Sequence, residues 1–461
     1  MDADIPSDGR HRDADLEALA RVWASPGAPS LGRLARHAFA LPAGQIRWAL
    51  GRLPGTALDG LSGEGALDPS DALDALKNTA RDAATGWLRD QLAALGPAGA
   101  ELAGLLHDAA GLTPRGLADL LHAEPVLPDP VPAHAVRRTL ERHLPGAVTE
   151  FDAAPLAVSP LHQTHTGVLR DGQAVFLRVL RPGARSGLRD DLRLAANLVA
   201  PLTLLPQAET VQPMAVLRSA ARRAAEQTDL RHDARNAAEL TELLDGRLKG
   251  LRLAEPVLES RGAVAYALPD GAVPLAEADA NVRAALPGFL ALVVETALAD
   301  GVFHADLRAD HLFALPDGTL LLAGCTTAGR LAPHVRRAFL DYVTALFSGD
   351  FAGQVDALGR LGAVPDATDR AALEADLRAA PELSPLRLLR GGGDAAKVLG
   401  DLASRHHLRL PSPLLGWARA LLTYRALTRH LVPDMPFIQA LLPLVPRLGE
   451  INRRLTAAES G

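Results

Sequence analysis

The sequence predicts an α+β protein that is mostly helical. Two observations carry that reading. Hydrophobic residues, chiefly Ala, Leu and Val, make up 48% of the chain, and over most of it they recur at helical spacing. Two-residue alternation is confined to short stretches, within 161–183, 261–275 and 303–331. At 461 residues the chain is long enough for two or three domains and a large buried core. The net charge of −6 provides no field toward nucleic acid or anionic lipid, and the 4% aromatic content leaves few stacking platforms for single strands. No nucleic-acid partner is expected. One cysteine, Cys325, excludes an internal disulfide and any cysteine-rich zinc site. The acidic start is unlike a signal peptide, and apolar runs fall short of the ~18 residues a membrane span needs, so a cytoplasmic protein without a span is expected.

In order, residues 1–14 read as a disordered tail and 15–133 as a helical N-terminal extension. Leu16, Leu19, Ala20, Val22 and Trp23 open its helical pattern, and Leu31, Leu34, Ala35, Ala38 and Phe39 continue it. Gly44-Gln45 lies in a helical stretch beside Trp48, 55–70 reads as loop, and 71–123 as three helices. The proline-dense run 123–134 cannot be helix and marks the first boundary. A strand-containing unit, 134–278, comes next. It begins with a helix at 134–148 and a hairpin at 161–183 turning at Asp171-Gly172. Alternation puts Arg178 on the opposite face from Val175 and Val179. Helices are expected at 187–203 and 209–248, then another hairpin around Asp270-Gly271. From 279 to 461 the chain reads as helical, with segments at 281–300, 333–348, 367–379, 393–406, 412–431 and 436–457. Gly391-Gly392-Gly393-Asp394 lacks the flanking strand and the Lys-Ser/Thr of a phosphate loop and reads as a flexible link.

The helical part is interrupted by FHADLRADHLFALPDGTLLLAGCTTAGRL, 303–331. A polar loop from His304 to Asp310 precedes two apolar strands joined at Asp317-Gly318. A histidine and a carboxylate just before such a hairpin match the catalytic loop of kinase-like folds, where the Asp accepts the proton of the attacking group. Taken alone, the same residues also fit an ordinary polar surface loop. The spacing of His304, Asp306, Asp310 and His311 suits neither helix-based zinc ligation nor an EF-hand.

Several strings in order resemble the UbiB/AarF atypical kinase-like family. AVSPLHQTH at 157–165 is similar to the end of its alanine-rich nucleotide loop, with Gln163 and His165 matching. AVFLRVLRPG at 174–183 resembles its Val-Ala-Val-Lys strand, and TDLRHDARN at 228–236 its helix, with Asp229, Ala234 and Asn236 kept. FHADLRADHL at 303–312 is similar to its Phe-His-Ala-Asp-x-His-Pro-Gly-Asn-Leu loop. Gly329-Arg330-Leu331 is similar to the residues just after its Asp-Phe-Gly, and LVPDM at 431–435 to its near-terminal signature. The resemblance implies a protein-kinase-like two-lobe fold with a helical N-terminal extension. It also implies ATP or ADP as nucleotide, Mg2+ as the family's metal, and ATP-dependent phosphotransferase or ATPase chemistry. On the matching positions Asp306 is the proton-accepting aspartate, and Gln163, His165, Arg178 and Asp233 are the nucleotide-side residues.

The departures fall on that chemistry. The family's phosphate-contacting lysine is Arg178, and its glutamate partner is Asp233. Arg is longer than Lys and Asp shorter than Glu, so the pair spans a similar gap. His311 stands where the family has the metal-helping asparagine, and Gly324 where it has the metal-holding aspartate. Asp310 is the nearest substitute ligand. Three readings are compatible with these changes: a pseudokinase with weak or Mg-independent nucleotide binding and a regulatory or scaffolding role; a divergent active ATPase or small-molecule kinase using Asp306 and Asp310; or a nucleotide-free interaction protein. The resemblance also implies a link to isoprenoid-lipid or quinone metabolism, with a lipid or protein partner at the inner face of a membrane. MPFIQALLPLVPRL, 435–448, is apolar enough to lie on a membrane, dock a partner or pack against the helical part.

Overall fold

The computed structural model describes residues 9–25, 129–200, 213–244, 247–248, 250–278, 282–385, 387, 395–409, 411–435 and 441–460. The expectations for 31–39, Gly44-Gln45, Trp48, 55–123 and Gly391–Asp394 lie outside them. The first helix, α1 (Gly9–Trp23), begins inside the stretch expected to be disordered. Leu16, Ala20 and Trp23 dock on Leu188, Leu192, Leu217 and Ala221, and the anchored helix propagates outward from that contact.

After α2 (Ala133–His143), strands β1 (Val148–Phe151), β2 (Ala157–Val158), β3 (His162–Leu169) and β4 (Ala174–Leu180) build the first sheet. Helices α3 (Ala184–Val199), α4 (Pro213–Gln227) and α5 (Arg231–Leu243) come after it. The single helix expected over 209–248 is therefore broken between α4 and α5. There Asp229 turns back to accept the Arg231 backbone N–H (3.3 Å) and pairs with the Arg231 guanidinium (2.7 Å). Then come β5 (Leu251–Leu253), β6 (Pro256–Glu259), β7 (Ala263–Ala267) and β8 (Val273–Pro274).

The first sheet runs β1-β3-β4-β7-β6, with β2 on the side of β3. Its two faces bury different partners, as alternation requires. Val175, Leu177 and Val179 meet Val136 and Leu140 of α2, whereas Phe176, Val264 and Tyr266 join the main core with Leu230, Ala234 and Ala237. Arg178 lies on the Phe176 face, as expected.

The Asp270-Gly271 turn does not close a hairpin. β7 pairs with β4 and β6, while β8 crosses to a second sheet of order β5-β11-β10-β8. The turn forms as its residues predict, but the strand beyond it finds its partner elsewhere.

The helical part opens with α6 (Val282–Leu290), a π-helical turn (Ala291–Glu295) and α7 (Thr296–Ala299). This run, Val282–Ala299, is long and apolar enough to cross a membrane by composition, but 78% of it is buried within the protein. It is the central helix of the main core. Next are β9 (Val302–His304), β10 (Leu312–Ala314), β11 (Leu320–Leu322) and β12 (Ala328–Arg330). β10 and β11 form the expected hairpin, Leu312 opposite Leu322, with Gly318 at φ 80°. Ring stacking of Phe313 on Phe176, 3.9 Å between centroids, joins the hairpin to the first sheet. The remaining helices are α8 (Pro333–Ser348), α9 (Phe351–Arg360), α10 (Arg370–Arg378), α11 (Ala395–Arg405), α12 (Leu415–Leu431) and α13 (Leu448–Ser460). Helix α9 was not expected from the sequence; its start is capped by Asp350 accepting the Gly353 N–H.

β12 pairs with β9 so that Gly329 faces Phe303 directly. A Cβ at 329 would sit inside the Phe303 ring. The glycine of the Gly329-Arg330-Leu331 string thus makes room for an aromatic side chain. Gly329→Ala is expected to cost about 1–3 kcal/mol through forced repacking, read as a lowered urea midpoint at unchanged slope.

Candidate functional site

Arg178 on β4 and Asp233 in the first turn of α5 meet between sheet and helix, 3% and 1% exposed. Arg178 Nη1 donates to Asp233 Oδ2 at 2.5 Å, and Nη2 donates to the Ala323 carbonyl at 3.0 Å. The other carboxylate oxygen accepts the Tyr266 hydroxyl (2.6 Å) and the Cys325 backbone N–H (2.5 Å). Two charges removed from water need this degree of saturation to be tolerated. Burial first, and then the Asp233 charge, push the Tyr266 phenol well above its ordinary value, so it stays a donor.

Gly324 closes the group. Its φ is 89°, in the left-handed region, and a Cβ there would lie 2.6 Å from Arg178 Nη1 and 2.9 Å from Asp233 Oδ1. The position aligned with the metal-holding aspartate is thus one where the ion pair leaves no room for a side chain.

Below this pair, His304 is 1% exposed. Its Nδ1 accepts the Asp306 N–H (3.2 Å), so Nε2 carries the proton and faces the Gly324 carbonyl (3.3 Å). The histidine thereby holds the loop to the 324 segment. Asp306 is enclosed by cations. Arg223 on α4 lies 3.8 Å from its Oδ1 and donates to the Ala305 carbonyl at 3.1 Å. Burial favours the protonated acid, but Arg223, Arg308, Arg419 and His311 outweigh it and hold Asp306 well below the usual carboxylate range.

Mg2+ is held by several oxygen ligands. Here both Asp233 oxygens are occupied, Gly324 offers no side chain, and Asp306 faces guanidinium groups. No cluster of three metal-ligating side chains exists among the described residues. Asp310 and His311 fall on a single 3-10 turn, Ala309–His311, but the Asp310 side chain lies outside the described residues. The described residues do not fit the metal.

Gln163 and His165 lie on the other face of the sheet from Arg178. In register Arg178 faces Thr164, whereas Gln163 and His165 face Val179 and Leu177. They therefore project from the opposite side of the sheet. Both are buried: Gln163 bonds the backbone of Val131 and His165 Nε2, and His165 Nδ1 donates to the Asp152 carbonyl at 2.7 Å. These bonds link β3 to the backbone on either side of α2.

Four residues of the site were not expected from the sequence: Arg223, Glu226, Tyr266 and Arg419. Glu226, 1% exposed, accepts from Asn236 Nδ2 (2.9 Å) and the Ala328 N–H (3.2 Å), while Asn236 also donates to the Cys325 carbonyl (3.1 Å). Arg223 and Glu226 lie about one helical turn apart on α4, and Asp229 follows three residues later, just past the end of that helix. That spacing was the available signal. Nothing local marked Tyr266 or Arg419.

A helix joined to a sheet by a buried ion pair, above a His-x-Asp loop and hairpin, defines a kinase-like protein. The ABC1 atypical kinase-like domain matches residues 124–250. The chain is similar to the probable protein kinase UbiB of Vibrio atlanticus, 26% identical over 383 residues, covering 78% of this chain and 70% of that one. It is also similar to the probable protein kinase UbiB of Xylella fastidiosa, 24% identical over 407 residues, covering 80% and 72%. A solved complex of Rv3197 with erythromycin from Mycobacterium tuberculosis overlaps 87% of this chain and 98% of its own, with 17% identity and a TM-score of 0.43. The chain is thus similar to UbiB/AarF-type atypical kinase-like proteins, and its described residues form a mostly helical α+β, kinase-like fold.

Asp233→Ala strands a buried guanidinium and is expected to cost about 3–5 kcal/mol in urea unfolding, whereas the double replacement Arg178→Met, Asp233→Leu recovers most of that. A second expectation concerns pH. Burial is the leading cause holding His165 and His304 below the ordinary imidazole value. Below about pH 6.5 the unfolded chain takes up protons that the folded chain refuses. Their contribution is complete above that pH and is lost as pH falls through the lowered folded values. The urea midpoint should therefore drop on acidification, less steeply in His165→Gln.

Proposed function

We propose that this protein is a pseudokinase: a kinase-fold protein that binds nucleotide weakly without Mg2+ and acts by regulation or scaffolding. The carrying observation is Gly324, whose side-chain space is filled by Arg178 and Asp233. In a phosphotransferase the metal at this point would bridge the β- and γ-phosphates and neutralise developing charge. Positive charge is supplied here by Arg223, Arg308 and Arg419 around Asp306. Guanidinium groups attract phosphate directly and need no metal. Asp306 is a weak base, because its carboxyl is held strongly ionised, and that disfavours proton transfer from an acceptor. A setting in isoprenoid-lipid or quinone metabolism rests on the family resemblance.

The test is a thermal-shift titration with ATP and ADP, each with Mg2+ and with EDTA. Stabilisation is expected to persist in EDTA, with phosphate release from Mg-ATP at the protein-free background and unchanged in Asp306→Asn. Stabilisation that requires Mg2+, together with turnover abolished by Asp306→Asn, would identify an active enzyme instead. No shift in any condition would leave an interaction protein with an empty cleft.

A further inference from the structure

Away from the Arg178–Asp233 site, the end of β4 and the start of α3 fold against Trp23 of α1 and border an open pocket of about 400 Å3. Its wall includes Trp23, Leu180, Ser186 and three arginines, 181, 185 and 189. That volume lies within the ~300–1,000 Å3 range of small-molecule pockets.

Arginine supplies the charged side chains of this wall. The Arg185 guanidinium lies over the Trp23 ring, 5.7 Å from its centroid. Burial first, then the nearby Arg261 and Arg231 charges, make it harder for Arg185 to hold its proton, with Asp229 opposing. Asp229 is already shared by Arg231 (2.7 Å) and Arg261 (3.4 Å). Arg181 is held in place by neutral acceptors, the Asp129 carbonyl (2.9 Å) and Gln163 Oε1 (3.4 Å), with the Asp129 charge as its electrostatic counterpart. Arg189 pairs with its neighbour Asp190 at 3.4 Å. Among the described residues, Arg181, Arg185 and Arg189 border the pocket, and the charges of Arg231 and Arg261 act on Arg185 from beside it. Three arginines and the Trp23 indole thus border one concave surface.

We propose that this pocket binds a phosphate-bearing ligand. Arg185 and Arg189 grip the phosphate, since the guanidinium fork matches its oxygens, and Trp23 and Leu180 receive the adjoining apolar part. The phosphate belongs either to a soluble metabolite or to a lipid headgroup, and the two are separable by experiment.

The full chain is titrated with sodium pyrophosphate in EDTA by calorimetry, and is separately floated with phosphatidylcholine vesicles with and without phosphatidic acid. Wild type is compared with Arg185→Gln, Arg189→Gln and Arg185→Lys. Arg189 is exposed, so its replacement leaves the fold intact even if Arg185→Gln lowers stability. The expected result is pyrophosphate binding weakened about tenfold or more by each Gln variant and less by Arg185→Lys. Vesicle binding that depends on phosphatidic acid and on both arginines, without pyrophosphate binding, assigns the phosphate to a lipid. Absence of both, or binding that the Gln variants leave unchanged, overturns the proposal.

Discussion

Arg178 and Asp233 carry opposite charges into a place water does not reach, and their surroundings are shaped by that constraint. Desolvating each ion costs several kcal/mol, recovered only where every remaining lone pair and proton finds a partner. The partners come from separate parts of the chain: Tyr266 from β7, a carbonyl at 323 and an N–H at 325. The residue between those last two must be glycine, because the pair fills its side-chain space. One charge pair thereby fixes β4, α5, β7 and the segment after β11 relative to one another. Position 324 is thereby part of the junction that the ion pair builds.

A second hub lies beside the first. Glu226 and Asn236, on consecutive helices, hold the backbone at 325 and 328, while His304 holds it at 324. The stretch 323–328 is thus gripped from the sheet, from α4 and α5, and from the polar loop. In a phosphotransferase this stretch needs freedom to meet nucleotide and metal. Here its hydrogen bonds are directed inward to the protein.

Much of this was legible in the sequence, and the rest was hidden for physical reasons. Alternation placed Arg178 on the correct face, and Asp317-Gly318 announced its hairpin, because both are local properties of the chain. Asp270-Gly271 announced a turn equally well, yet the strand after it pairs in another sheet, since strand pairing is decided by tertiary contacts. Gln163 and His165 matched a family string, but two-residue alternation carries them to the side away from Arg178. Arg223 and Arg419 reach Asp306 from α4 and α12, helices on either side of the loop in sequence, and no spacing rule foresees such a meeting. Gly324 reads in the sequence as a lost aspartate; only the folded chain reveals that the ion pair took its space.

Cys325 is fully buried, and its own N–H is one of the donors to Asp233. It is also the chain's single cysteine. A thiol reagent can therefore modify this protein at one point only, and to reach it the segment beside the ion pair must first open. The labelling rate is a clock for that local opening, with no label to engineer and no second thiol to subtract. A ligand that tightens the junction of sheet and helix slows the clock, and one that binds elsewhere without coupling leaves it unchanged.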